Sequence, residues 1–230
     1  MTRQTESMNH PFAAIFDMDG VLVDSYQAHF KSWQAVAAEE GLTVGEADFA
    51  AQFGRTSREM IAGWWGEGRY SEEEIGRLDD RKEGVFREIL AADFPAMPGA
   101  VDLLEALHRA GFALAVGSSG PPENIELVLA RLRARRLFEA VVTGMDVTRG
   151  KPDPQIFLTA AGRLGVSPGH SAVVEDAVPG VAAARAAGMA SVGFASTGHT
   201  RQELAAAELV IDSLSELSPE VLRALISRPR

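Results

Sequence analysis

The sequence predicts an α/β fold: a doubly wound parallel sheet into which an all-helical domain is inserted. Three observations predict it. From Met97 onward, apolar runs of strand length alternate with helical segments, the pattern of βα units. Between Tyr26 and Phe94 the periodicity is helical throughout, with no strand-like run. The first apolar run, Phe12-Ala13-Ala14-Ile15-Phe16, breaks into Asp17-Met18-Asp19-Gly20, which puts carboxylates where open α/β sheets place their ligands. The expected division is a core of residues 1–24 and 96–230, with residues 25–95 as a helical domain lying over the sheet's carboxyl edge.

The elements follow in order. After Asp24, the residues Phe30, Trp33 and Ala37 fall at i, i+3 and i+7 on one helical face, and Gly41 closes that helix in a C′ position. Helical periodicity resumes over residues 46–53 and 58–65. Ser71-Glu72-Glu73-Glu74 is a capping box opening a helix that extends to Ala92. Residues 99–110 read as a helix before Gly111, and 112–116 as a strand leaving through Ser118-Ser119-Gly120-Pro121-Pro122. A helix over 123–134, a strand over 140–143 and a loop over 144–152 lead to a helix over 154–164. The strand 171–174 ends at Glu175-Asp176. Pro179-Gly180 and a helix to Ala187 follow, then strands over 190–194 and 209–211.

Composition narrows the function. Of 230 residues, 46% are hydrophobic and 23% charged, as in ordinary globular proteins. The excess of 32 acidic over 22 basic residues, a formal charge of −10, disfavours nucleic acid and anionic membrane as partners. The absence of cysteine excludes disulfides, thiolate metal sites and a cysteine nucleophile. The first eleven residues are polar and lack the apolar core of a secretory signal, so a cytoplasmic location is expected.

Asp17 and Asp19 lie one residue apart, and in a strand such residues project to one side. Like charges that close require a cation between them or a proton on one. Either outcome serves chemistry: a divalent ion on oxygen ligands, or a nucleophile beside a general acid. Asp-x-Asp-Gly also matches part of a calcium loop, but Ala28 occupies the twelfth position, where that loop needs glutamate. With the strands side by side, Asp17, Asp19, Ser118, Ser119, Lys151, Glu175 and Asp176 share one edge. Each has a local alternative. Ser118 suits a helix N-cap, Lys151 a solvated loop, and Glu175 with Asp176 the start of a helix. Together they supply a nucleophile, hydroxyl donors, a cation and metal-binding carboxylates, the inventory of phosphoryl transfer.

In four segments the chain resembles the haloacid dehalogenase superfamily, in its phosphotransferase branch with a helical cap. These are Asp17-Met18-Asp19-Gly20-Val21, Ser118 after an apolar strand, Lys151-Pro152-Asp153-Pro154, and Val173-Val174-Glu175-Asp176-Ala177-Val178-Pro179-Gly180. The resemblance implies a Rossmann-like core and a Mg²⁺ cofactor. Asp17 would be the nucleophile that forms an aspartyl-phosphate, and Asp19 the acid and base that also offers its main-chain carbonyl to the metal. Asp17 and Asp176 would supply side-chain oxygens to the ion, with Glu175 in the shell around it. Ser118 and Lys151 would hold the transferring phosphoryl group, and Gly20 and Ser119 would line the substrate.

Two features of the helical segment resemble β-phosphoglucomutases: His29-Phe30-Lys31-Ser32-Trp33 and Thr56-Ser57-Arg58-Glu59. They nominate His29 and Arg58 as substrate contacts, against the plainer readings of a polar helix residue and a surface arginine. The loop Ser119-Gly120-Pro121-Pro122-Glu123-Asn124 lacks the serine and lysine of the mutase pattern. The expected function is therefore Mg²⁺-dependent hydrolysis of a small phosphomonoester, such as a sugar phosphate. The alternatives are a phosphosugar mutase and a non-catalytic phosphometabolite-binding protein. The expected partners are that substrate and, at most, a second copy of the chain in a weak homodimer.

Overall fold

Strands that are apolar on both faces have to be covered on both faces, and parallel sheets meet that requirement with helical crossovers. A computed structural model of the chain describes residues 10–229. The expectations for residues 1–9, the polar leading segment and the beginning of the core, lie outside the described residues. The elements in chain order are β1 (Phe12–Phe16), α1 (Tyr26–Glu39), α2 (Glu46–Ala50), α3 (Ser57–Trp65) and α4 (Glu72–Ala92). They continue with α5 (Ala100–Arg109), β2 (Phe112–Gly117), α6 (Pro122–Arg131), β3 (Ala140–Val142) and α7 (Gln155–Leu164). The last are β4 (Ser171–Glu175), α8 (Val178–Ala186), β5 (Ala190–Phe194), β6 (Leu209–Ile211) and α9 (Pro219–Ile226). Two compact units result: one from the chain up to Val23 together with Ala96 onward, the other from Asp24–Pro95.

The first unit is the α/β fold the sequence predicts. Its sheet is wholly parallel, in the order β3-β2-β1-β4-β5-β6. Alternation sorts the strands' side chains: Ile15, Ala115 and Val173 lie in register and pack with Ile156, Phe157, Ala160, Ala183 and Ala184 of α7 and α8. Phe16, one residue on, meets Phe138 edge-on. The chain runs outward from β1 to β3, then returns under the sheet through α7, which packs against β1, β2 and β3 before β4 pairs with β1. The winding direction reverses between β1 and β4, and at such a switch point the crossovers diverge and leave a crevice at the carboxyl ends of the strands.

The second unit has its own apolar centre, with Phe30, Trp33, Val36 and Ala37 of α1 packed with Phe49, Met60, Ile61, Trp65 and Leu78. Its helices begin where local chemistry dictates. Thr56 with Glu59 and Ser71 with Glu74 form reciprocal capping boxes that satisfy the otherwise orphaned amides of the first turns. Among the described residues, no helix is long and apolar enough to cross a membrane.

The structure corrects several local expectations. β1 ends at Phe16, so Asp17 and Asp19 are not consecutive same-face strand residues; Asp19 lies in a turn that bridges to Val23. The helix expected over 46–53 stops at Ala50. That expected over 123–134 stops at Arg131, because Arg133 takes a left-handed φ of 55° while Arg133 N donates to Ala130 O and Ala134 N to Leu129 O. This is a Schellman closure built on a residue other than glycine. Pro179 and Gly180 lie inside α8, and the sequence reading left α9 unassigned.

The left-handed conformation burdens Arg133 with a Cβ clash that glycine lacks. Arg133→Gly should raise the unfolding free energy by about 0.5–1 kcal/mol. Urea denaturation checks it: an unchanged or lower midpoint would show that Arg133 contributes more through its side chain than its backbone costs.

Candidate active site

The switch point brings two strand ends together. Phe16 pairs with Val174, and Asp17 N extends the ladder by donating to Val174 O at 3.0 Å. The main chain thus sets Asp17 beside Glu175, the last residue of β4, and Asp176. Lys151, in the loop before α7, reaches this pair from the third side. Its Nζ donates to Asp17 Oδ1 at 2.7 Å and to Glu175 Oε1 at 2.5 Å, and lies 5.0 Å from the centre of the Phe157 ring. Glu175 Oε2 accepts from Ala177 N at 2.8 Å, so both oxygens of that carboxylate are engaged within the protein.

Two glycines make room for the carboxylates. A Cβ on Gly20, whose φ is +69°, would overlap the carboxylate of Asp176. A Cβ on Gly180 would overlap that of Glu175. The sequence reading nominates Gly20 as lining the substrate and sets Gly180 just ahead of a helix; the structure also presses both against acidic side chains. Close approach of a helix's first turn to a neighbouring carboxylate leaves no mark in a single sequence beyond the glycine itself.

Ser118 leaves β2 buried, its N–H donating to Val142 O at 3.1 Å and its Oγ accepting from Gly120 N at 3.2 Å. It is not a helix cap, since α6 begins behind Pro121. Nor are Glu175 and Asp176 helix-start acids, because α8 opens at Val178, with Ala177 as its cap. Ser119 is exposed, and Asp19 and Gly20 are half-buried. In the helical unit, Arg58 pairs with Glu72. His29 stacks on Phe86 at 4.2 Å, and its Nδ1 lies 2.9 Å from Nζ of the buried Lys82, which the sequence reading does not single out.

The electrostatics of the cluster are unbalanced. Asp17, Glu175 and Asp176 are all buried, and each offers a carboxylate oxygen within 4.8 Å of the others. Lys151 supplies one positive charge. Burial, then the carboxylates of Glu175 and Asp19, push Asp17 up from 3.8 to about 7 despite Lys151. Burial, with the charges of Glu175, Asp17 and Asp19, also raises Asp176 well above the usual carboxylate range. Burial alone would lower Lys151, but Asp17 and Glu175 outweigh it and hold the amine protonated. An all-oxygen donor set with surplus negative charge suits a hard divalent cation. Asp17 and Asp176 are the better-placed ligands, because both oxygens of Glu175 are already engaged.

The family model described as haloacid dehalogenase-like hydrolase matches residues 13–188. The chain is 31% identical over 207 residues to validoxylamine A 7′-phosphate phosphatase of Streptomyces hygroscopicus, covering 89% of this chain and 94% of that one. It is 34% identical over 218 residues to β-phosphoglucomutase of Bacillus subtilis, covering 91% and 93%. Among solved structures it is similar to a family IA, variant 3 hydrolase from Entamoeba histolytica. The TM-score is 0.86 at 26% identity, over 94% of this chain and 100% of that one.

The raised Asp17 has a consequence for stability. Between its ordinary value of 3.8 and about 7, the folded chain holds a proton that the unfolded chain has released, so unfolding becomes easier as pH rises through that window. Asp146, held near 2 first by Arg163, titrates below the window and does not mask the effect. In EDTA, the melting temperature should therefore fall between pH 5 and pH 8. A divalent cation such as Mg²⁺, if held by the ionised cluster, should restore it, and by more at pH 8. A metal-free melting temperature that rises over that interval would contradict the charge balance described here.

Gly180→Ala should displace Glu175, lowering the melting temperature and weakening Mg²⁺ binding about tenfold or more, read by calorimetry. Unchanged affinity would detach Glu175 from the candidate metal site.

Proposed function

The chain belongs to the haloacid dehalogenase-like hydrolase family, and from that premise we propose that it hydrolyses small phosphorylated sugars with Asp17 as nucleophile and Mg²⁺ as cofactor. The observation that carries the reading is the Lys151 ammonium bridging Asp17 Oδ1 and Glu175 Oε1 beside Asp176, at the switch point of the sheet.

Lys151, held on one oxygen of Asp17, fixes the rotation of that carboxylate and offers its remaining donor capacity to a phosphoryl oxygen. Asp17 attacks phosphorus, the bond from phosphorus to the sugar oxygen breaks, and Asp19 passes its proton to the departing alkoxide. An aspartyl-phosphate remains. Asp19, now ionised, takes a proton from water, whose oxygen attacks the same phosphorus. The bond to Asp17 breaks, and inorganic phosphate leaves. Ser118 and the amides after it hold the phosphoryl oxygens through both steps. Asp17 and Asp176 would hold Mg²⁺ through side-chain oxygens and Asp19 through its main-chain carbonyl, with Glu175 orienting Lys151 rather than ligating. When bound, the ion supplies charge neutralisation that lets an anionic nucleophile approach an anionic phosphate.

A mutase follows the same first step but needs a second phosphate contact. Hydrolysis is favoured because the Ser119-Gly120-Pro121-Pro122-Glu123-Asn124 loop offers no cationic side chain, and Arg58 is already paired with Glu72.

Phosphate release across a panel of sugar phosphates should require Mg²⁺ and fall at least about a thousandfold in Asp17→Asn, with the fold retained by circular dichroism. Retained turnover would remove Asp17 as nucleophile. With β-glucose 1-phosphate and a bisphosphate primer, free phosphate is expected; glucose 6-phosphate as the main product would establish the mutase instead.

A further inference from the structure

The proposed reaction leaves one question of geometry: what sets the loop carrying Ser118 and Ser119 against Lys151? These groups sit on different loops, and a shift of one relative to the other alters the grip on a phosphoryl group.

The Ser118 loop rests on the turn after β3. Gly144 N donates to Gly120 O at 3.3 Å, and a Cβ on Gly144 would overlap the carbonyl oxygen of Ser119. That turn, Gly144–Asp146, is built around one carboxylate. Asp146 Oδ2 accepts from Thr143 N at 2.8 Å and from Thr143 Oγ1 at 2.9 Å, while Met145 N donates to Thr143 Oγ1 at 3.2 Å. Arg163 of α7 closes the arrangement from outside. Its Nη2 donates to Asp146 Oδ1 at 2.5 Å and its Nη1 to Val141 O at 2.6 Å. The Arg163 bonds, with those of Thr143, hold Asp146 near a pKa of 2, so the clasp keeps its charge at working pH.

The other end of α7 serves the Lys151 loop. Gln155 Oε1 accepts from Thr148 N and Arg149 N, both at 3.0 Å, and from Thr148 Oγ1 at 3.2 Å. Phe157 lies beneath the Lys151 ammonium, and a Cβ on Gly117 would come within 3.1 Å of its ring. One helix therefore references both groups assigned to the phosphoryl oxygens.

We propose that α7 sets the spacing of the phosphoryl grip, with Arg163 as a positioning residue that acts on Ser118 and Ser119 through Asp146 and Gly144. The inference rests on the phosphatase reading for the meaning of the grip, but its geometry is independent of turnover. Arg163 touches no reacting atom in this scheme, so its loss should weaken the hold on phosphate while leaving the chemical step nearly intact.

The test compares Arg163→Met, Arg163→Lys and Gly144→Ala with Arg201→Met. Arg201 makes the same kind of clasp, to Asp212 Oδ2 at 2.7 Å and Val210 O at 2.8 Å, but on the β6 edge. Two readouts are taken with Mg²⁺ present: KM and kcat for p-nitrophenyl phosphate, and Kd for inorganic phosphate by calorimetry. Arg163→Met should raise KM and Kd together by about tenfold with kcat changed less than about threefold. Arg163→Lys should recover part of the loss, Gly144→Ala should match or exceed it, and Arg201→Met should alter neither constant. An unchanged phosphate Kd in Arg163→Met, or an equal rise in Arg201→Met, overturns the proposal. Should Arg163→Met fail to fold, Arg163→Lys, which keeps the charge but loses the two-pronged geometry, decides on the same criterion. If the wild type binds phosphate but hydrolyses no ester, the hydrolase reading fails while the Kd comparison still decides the role of Arg163.

Discussion

Three carboxylates held out of water around one ammonium constrain the rest of the α/β unit. The self-repulsion of Asp17, Glu175 and Asp176 is only partly relieved by Lys151, and burial removes the solvent that would otherwise screen it. Such a group of charges persists only where the main chain over-determines its position. Here the β1–β4 ladder holds Asp17 and Glu175 in adjacent register, and Ala177 N and Lys151 hold both oxygens of Glu175. Gly20 and Gly180 are the corresponding spaces: backbone presses close to the charges only where side chains are absent. The remaining negative charge is what a divalent cation would neutralise.

The strand order explains why the pieces meet at all. A chain that winds outward from β1 to β3 must return across the sheet before adding β4 on the other side of β1. That return is α7, and it packs one helix against β1, β2 and β3. Lys151 precedes it, Phe157 underlies the ammonium, and Arg163 secures the turn after β3. A crossover needed for topology thus also becomes the frame against which the loops carrying Ser118 and Lys151 are set.

Much of this was legible in the residues. The switch to alternating strands and helices after Met97 is a local pattern, and so are the capping box at Ser71 and the glycines at 41 and 111. The carboxylates that the structure gathers were nominated from their positions after apolar runs. Other features were not legible. The Schellman closure at Arg133 leaves no sequence mark, because it uses arginine where glycine is the usual sign. Asp19 was placed by strand alternation, although the strand ends before it. Gly180, Gly144 and Arg163 drew no attention as parts of the site, because each matters through a partner distant in the chain or through a gap that a missing Cβ leaves.

The sequence by itself determined which elements form and which side chains can do chemistry. Propensity, apolar periodicity and capping act over a few residues, and a carboxylate or ammonium carries its chemistry wherever it lies. Only the tertiary structure decided the distances: Lys151 is 134 residues from Asp17 in the chain and 2.7 Å from it in space. The protonation of the cluster was decided there too. It depends on burial and on neighbouring charges, which exist only once the sheet has closed and water has been excluded.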